Sequence, residues 1–131
     1  MKVEKIVPVC PITAALDVLG GKWKVFVLAR LAEYPLLRFG ELHRLIPKVS
    51  QKMLTQQLRE LEEAGLVARR IYAEVPPRVE YRLTTHGQTL QPVLRALRDW
   101  GDLHRQVLGQ PAWREQCPPA VKQETGSALT A

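Results

Sequence analysis

At 131 residues, 46% of them hydrophobic and 24% charged, the chain is long enough for one domain with a real core and ordinary enough in composition for a soluble surface. No apolar run approaches the roughly 18 residues of a membrane-spanning helix and the N-terminus lacks a signal-peptide core, so no membrane segment is expected and the cytoplasm is the expected compartment. A formal net charge of +6 favours an anionic partner, although charge alone does not separate nucleic acid from an acidic protein or a membrane surface.

Residues 1–9 read as a short arm. Cys10 precedes Pro11, and proline at the first position of a helix puts Cys10 at the N-cap of a segment from Pro11 to Leu19. There the helix dipole and unpaired amides lower a thiol's pKa, and Lys22 or other basic groups could add to the effect. A small buried residue at a helix start is the equal alternative. Gly20-Gly21 breaks this helix, and a second runs from Lys22 to about Glu33. Its Trp23, Phe26, Val27, Arg30 and Leu31 would bury most of one side, with Trp23 read as core. Tyr34-Pro35 ends it, and Leu36 to Arg38 is expected to form a small strand.

Two short helices follow, from about Phe39 to Ile46 and from about Ser50 to Ala64, with Pro47 ending the first and Ser50 capping the second. In the second, Leu54, Leu58 and Leu61 recur at four and three residues and point inward. Ser50, Gln51, Lys52, Thr55, Gln56 and Arg59 then lie outward, and such donor-bearing side chains meet base edges and phosphates. Acid comes only later, at Glu60, Glu62 and Glu63, a gradient suited to a helix that enters a DNA groove by its N-terminus. An ordinary amphipathic helix with a solvated face would show the same pattern.

Gly65 closes that helix, and two β-rich runs, Leu66 to Ala73 and Val79 to Leu83, flank a proline-stiffened loop. Arg69, Arg70, Arg78 and Arg82 decorate this hairpin, which makes it a basic wing able to reach the DNA backbone or narrower groove. From Arg38 to Arg82 there are nine Lys or Arg against six Asp or Glu, a net of +3. The fold class is therefore α+β, mainly α: a winged helix-turn-helix.

Thr84 is the expected N-cap of a long helix over about residues 85–108, some 36 Å at 1.5 Å per residue. Its apolar positions Leu90, Val93, Leu94, Leu97, Trp100, Leu103, Val107 and Leu108 form a stripe wider than one small domain covers, which predicts a two-fold dimer; the alternative is this helix folded entirely onto its own domain. Leu90, Leu94, Leu97, Trp100 and Leu103 are the expected interface. Pro92 should kink the helix. Residues 110–131, with Trp113 and Cys117, change to small and polar residues and are expected to be flexible.

His43, His86 and His104 share no i, i+4 spacing with a carboxylate or cysteine, so no metal site is expected, and no cofactor motif is present. His43 is expected near phosphate and His104 near the dimer seam. No phosphate loop, nucleophile elbow or paired-carboxylate pattern appears, so the chain is not expected to be an enzyme.

The runs Gly20-Gly21-Lys22-Trp23, Arg38-Phe39-Gly40-Glu41-Leu42, Leu54-Thr55-Gln56-Gln57-Leu58-Arg59-Glu60-Leu61 and Pro76-Pro77-Arg78-Val79-Glu80-Tyr81-Arg82-Leu83-Thr84 resemble the HxlR-type family of bacterial transcriptional regulators, and Cys10-Pro11 and Trp100-Gly101 fit it too. The resemblance covers roughly Cys10 to Leu108. It implies a homodimeric winged-helix repressor on double-stranded DNA with a palindromic operator. Its DNA-binding residues would be Arg38, Ser50, Gln51, Lys52, Thr55, Gln56, Arg59 and Arg78. In some relatives a cysteine at the position of Cys10 senses small electrophiles or oxidants. A winged helix used only to bind another protein is the rival function; it would show apolar side chains where the helix from Ser50 to Ala64 carries Ser, Gln, Lys, Thr and Arg.

Overall fold

The computed structural model describes residues 10–110, so the N-terminal arm and the tail with Trp113 and Cys117 lie outside the described residues. The elements in chain order are α1 (Pro11–Leu19), α2 (Lys24–Glu33), β1 (Leu37–Arg38), α3 (Phe39–Leu45), α4 (Gln51–Glu63), β2 (Val67–Tyr72), β3 (Arg78–Leu83), α5 (Thr85–Gln88) and α6 (Gln91–Val107). They form the expected winged helix-turn-helix: a helical body with one three-stranded antiparallel sheet, ordered β1-β3-β2.

Local chemistry sets the boundaries of α4. Ser50 is its N-cap, with Oγ accepting from the Met53 amide at 3.0 Å. At the other end Gly65 takes φ +79°, a left-handed conformation costly for a residue with a Cβ. That turn directs the Gly65 amide to the Glu62 carbonyl and the Leu66 amide to the Leu61 carbonyl, each at 3.0 Å, which satisfies two helix-end acceptors. Between α3 and α4, the buried Val49 anchors the turn, and its carbonyl is 2.8 Å from His43 Nε2.

The core gathers the inner faces of all these elements. Val27, Leu28 and Leu31 of α2, Leu42 of α3, and Leu54, Leu58 and Leu61 of α4 are essentially sealed from solvent, and Tyr81 and Leu83 of β3 close the sheet side. Trp23 and Phe26 are half-buried at the edge, with ring centroids 5.8 Å apart, so Trp23 is a flank of the core and not its centre. Arg30 is buried with them, as expected from its place on the inward side of α2. Its guanidinium, 2% exposed, donates to Glu33 Oε1 at 2.9 Å, while the other Glu33 oxygen lies 3.5 Å from Arg98 of α6. One carboxylate thus holds an arginine from each of two helices, the pairing a buried charge requires.

The long helix departs from expectation. It is divided into α5 and α6 by Thr89 and Leu90, because Pro92 has no N–H to give the Gln88 carbonyl and its ring obstructs a continuing turn. Thr89 and Leu90 instead make tighter bonds to the carbonyls of His86 and Gly87, and Pro92 opens the first turn of α6, where its missing donor does no harm. At 17 residues, α6 is about 25 Å long, shorter than the expected rod.

The joint before α5 is tight. The Thr84 amide donates to the Leu66 carbonyl at 3.0 Å, Thr84 Oγ1 donates to the Gly65 carbonyl at 2.6 Å, and the Gly87 amide donates to Thr84 Oγ1 at 2.9 Å. Gly87 is there for closeness: a Cβ on it would stand 2.2 Å from the Leu66 carbonyl oxygen.

Candidate nucleic-acid interface

With Leu54, Leu58 and Leu61 committed to the core, period 3.6 turns the rest of α4 outward, and the first turns carry no acid. Gln51, Lys52 and Arg59 are exposed and make no side-chain hydrogen bond or ion pair among the described residues. They are the open donors of the face. The other candidates on α4 are already engaged: Ser50 as the cap, Thr55 by donating from Oγ1 to the Gln51 carbonyl at 2.9 Å, and Gln56 by donating from Nε2 to Glu60 Oε2 at 2.7 Å. The hydroxyls of Ser50 and Thr55 therefore serve the helix first.

Glu60 is more than trailing acid. Its second oxygen accepts from Lys24 Nζ at the start of α2, and the Gln56 amide, then Lys24, holds its carboxyl below the ordinary carboxylate range. The i, i+4 spacing of Gln56 and Glu60 was visible in the sequence. Lys24, 36 residues away, was not.

The sheet supplies a second cationic surface through its period-2 alternation. The register pairs Arg38 with Glu80, Arg70 with Glu80, Ala68 with Arg82 and Tyr72 with Arg78 on one face, leaving Leu37, Val67, Tyr81 and Leu83 for the core face. Four arginines thus share a face with one glutamate of the strands. They differ in freedom. Arg38 and Arg82 are exposed; Arg70 lies over the Tyr72 ring at 4.8 Å. Arg78, expected to meet DNA, is folded back: its guanidinium sits 3.9 Å from the Tyr72 centroid and pairs with Glu74 at 3.2 Å and Glu80 at 3.7 Å. A cation with two carboxylates beside it offers phosphate less than an unpaired one. Arg69 points elsewhere, 3.3 Å from Glu62, and joins the end of α4 to β2. On the core face, burial raises the pKa of Tyr81.

His43 is held by the Val49 carbonyl and lies beside the Phe39 ring, a structural role in the turn. Among the described residues there is no cluster of His, Cys, Asp or Glu that could hold a metal.

Two surfaces flank this interface. Cys10 is the N-cap of α1 and exposed, and the backbone amides of Ile12 and then Thr13 lower its thiol pKa. The alternative of a buried cysteine does not hold. Lys22 is not a cause; its ammonium lies 5.0 Å from the Trp23 ring.

On α6, the row Leu94, Arg98, Gly101 and Arg105 turns toward the domain, and Leu94 is in the core with Leu90 packed against it. Those two expected interface residues therefore serve their own domain first, because α6 docks on α2 through that row. The adjacent face keeps Leu97, Trp100, Leu103 and Val107 at 48%, 61%, 54% and 75% exposure. His104 is stacked flat on Trp100, centroids 4.9 Å apart. Among the described residues, no helix is long and apolar enough to cross a membrane.

Comparison with known proteins agrees with this architecture. The sequence model of a family described as HxlR-like helix-turn-helix matches residues 18–108. An uncharacterized HTH-type transcriptional regulator of Bacillus subtilis, YdeP, is 48% identical over 96 residues, covering 73% of this chain and 74% of its own. Among solved structures, the redox regulator HypR in its reduced form superposes with a TM-score of 0.72 at 45% identity, covering 76% of this chain and 98% of that one. The reduced form of the regulator YodB from B. subtilis gives 0.63 at 36% identity, over 72% and 93%.

Proposed function

Since this chain belongs to the HxlR-like helix-turn-helix family of DNA-binding transcriptional regulators, we propose that it acts as a homodimeric repressor on an inverted-repeat operator and that Cys10 makes it responsive to electrophiles or oxidants. The observation that carries the reading is the outward face of α4, where Gln51, Lys52 and Arg59 stand open while the inward leucines are sealed. Lys52 and Arg59 meet phosphate, which gives affinity, and Gln51 and Gln56 meet base edges, which gives preference. Arg38 and Arg82 of the sheet add backbone contacts beside the helix.

One such helix makes few base contacts. Two of them, held about 34 to 36 Å apart by a two-fold axis, read half-sites one turn of the duplex apart, so the operator is a palindrome. The exposed row Leu97, Trp100, Leu103 and Val107, together with Ile12 and Leu16 of α1 at 69% and 60% exposure, supports the second copy as what covers it. A regulator of this kind works in the cytoplasm with its DNA. Nothing apolar beyond Met53, 40% exposed, stands on the outer face of α4, which disfavours a pure protein-binding role.

Cys10 connects chemistry to this geometry. A thiol at an N-cap, exposed and with its pKa lowered, carries more thiolate at neutral pH, the form that attacks an electrophile. An adduct there, or a disulfide to its counterpart or to Cys117, changes how α1 packs in the dimer and so the spacing of the two α4 helices. The similarity to HypR and YodB supports this reading.

Binding is tested by titrating the protein onto a selected duplex across a salt series. A steep loss of affinity with salt and a strong preference over scrambled DNA are expected; equal binding to both overturns the operator reading. For the cysteine, iodoacetamide should alkylate native Cys10 at neutral pH several-fold faster than the same residue in urea. A native rate equal to or below the unfolded one removes Cys10 as a sensor.

A further inference from the structure

Glu60 and Lys24 do more than stiffen α4. Both Glu60 oxygens are occupied, Oε1 by the Lys24 ammonium and Oε2 by Gln56 Nε2 at 2.7 Å. An ionised carboxylate accepts hydrogen bonds and cannot donate them, so the neighbouring Gln56 amide must turn its NH₂ end toward Glu60. Its carbonyl oxygen is left without a partner among the described residues, on an exposed residue of α4. Lys24 holds the carboxylate in place from α2, outside the helix-turn-helix, with its own side chain only 14% exposed.

We infer that the Lys24–Glu60 pair is a specificity-determining device: it locks the Gln56 amide so that Gln56 presents an acceptor to the DNA, and thereby selects an amino base over a keto base at one position of each half-site. In the major groove adenine offers its N6 amino group and cytosine its N4 amino group, both donors, whereas guanine shows N7 and O6 and thymine shows O4, all acceptors. A free glutamine flips its amide to suit either kind. A glutamine tied by one N–H keeps its second N–H beside a fixed oxygen, a pair that matches adenine N7 and N6, whereas guanine or thymine would set an oxygen against that fixed oxygen, an unmatched and desolvated contact. Gln56 makes the contact, and Glu60 and Lys24 are positioning residues that touch no base. The inference rests on the assignment of α4 as the helix that enters the groove.

The test is selection from a duplex pool randomised across two half-sites, with the full-length protein and its Gln56→Ala, Glu60→Gln and Lys24→Met variants. Gln56→Ala should erase preference at one position per half-site, and at that position the unaltered protein should favour adenine or cytosine by about tenfold. Glu60→Gln supplies an amide that accepts or donates, so Gln56 is free to flip. The preference at that position should then fall to about twofold, with the remaining profile kept, which also shows that the variant is folded. Lys24→Met should loosen it partly in the same direction. A purely helix-stabilising role for Glu60 would change thermal stability and leave base choice alone.

Three results overturn the inference while leaving α4 in the groove: a profile unaltered by Gln56→Ala, a Gln56-dependent position that favours guanine or thymine, or full preference retained in both Glu60→Gln and Lys24→Met. If the unaltered protein enriches no sequence at all, the α4 assignment falls and the inference with it.

Discussion

The helices α4 and α6 are both amphipathic, yet they spend their outer faces differently. Each buries one row against the same core, Leu54, Leu58 and Leu61 in the first and Leu94 in the second. The remaining surface of α4 is amide, hydroxyl and cation, whereas α6 shows Leu97, Trp100, Leu103 and Val107 to solvent. Water satisfies the first and penalises the second, at about 25 cal/mol for each Å² of apolar surface left wet. A face of the first kind is stable in the free protein and waits for a charged partner. One of the second kind calls for an apolar partner, the role proposed above for a second copy of the chain.

The strongest way to break this contrast is to put charge on α6. Leu97→Glu combined with Trp100→Glu should leave a folded monomer and weaken self-association by about a thousandfold, taking each of the four side chains that two copies bring together at about 1 kcal/mol. Sedimentation velocity across a dilution series checks it, and a double variant that stays dimeric removes this face from the interface. Inward positions should behave in the opposite sense. Leu58→Ala in α4 should cost about 2–5 kcal/mol of folding stability, read from the denaturant midpoint, whereas Leu97→Ala should cost the isolated chain less than about 0.5 kcal/mol.

Smaller effects sharpen the account of the cationic face. Lys52→Ala and Arg82→Ala should each weaken binding to every duplex and lower the salt slope by about one. Arg78→Ala should do less, since Glu74 and Glu80 already hold that guanidinium. Equal losses for Arg78 and Arg82 would mean that DNA pulls Arg78 away from both carboxylates. The smallest effect concerns pH. Glu60 has its pKa lowered by Gln56 and Lys24, so its contribution to stability is present above the unfolded carboxylate value and is lost as pH falls through the folded one. The stability gap between the unaltered protein and Glu60→Gln should therefore be full at neutral pH and begin to narrow only as pH falls through the ordinary glutamate value of about 4.3, as followed by urea unfolding at each pH.

Local signals were the legible ones. Ser50, Gly65, Thr84 and Pro11 act on their own neighbours, so the ends of α1 and α4 and the position of the wing could be read from short windows of sequence. Pro92 was also legible as a disturbance, but whether it bends a helix or restarts one depends on where the tight bonds of Thr89 and Leu90 find acceptors. What stayed hidden was pairing across the fold. Nothing in the apolar stripe of α6 separates Leu94 from Leu97 until α2 is packed against it. The link from Arg30 through Glu33 to Arg98 spans elements 65 residues apart at its longer step. Arg78 read as a free wing cation because Tyr72 and Glu80 face it only once β2 and β3 are in register. The cysteine was placed correctly at its helix start, but its exposure, which decides reactivity, required the fold.

The knot formed by Gly65, Leu66, Thr84 and Gly87 fastens the base of the hairpin to the end of α4, and Thr89 and Leu90 join this unit to α6. Helix and hairpin therefore travel as a single tool head on a short shank. In the proposed dimer, a change in how two subunits meet along α6 would re-aim both contact elements at once, without bending either. By the same logic, a side chain as small as alanine at Gly87 must wedge that head from its mount, and a lesion remote from any phosphate would be felt at the DNA.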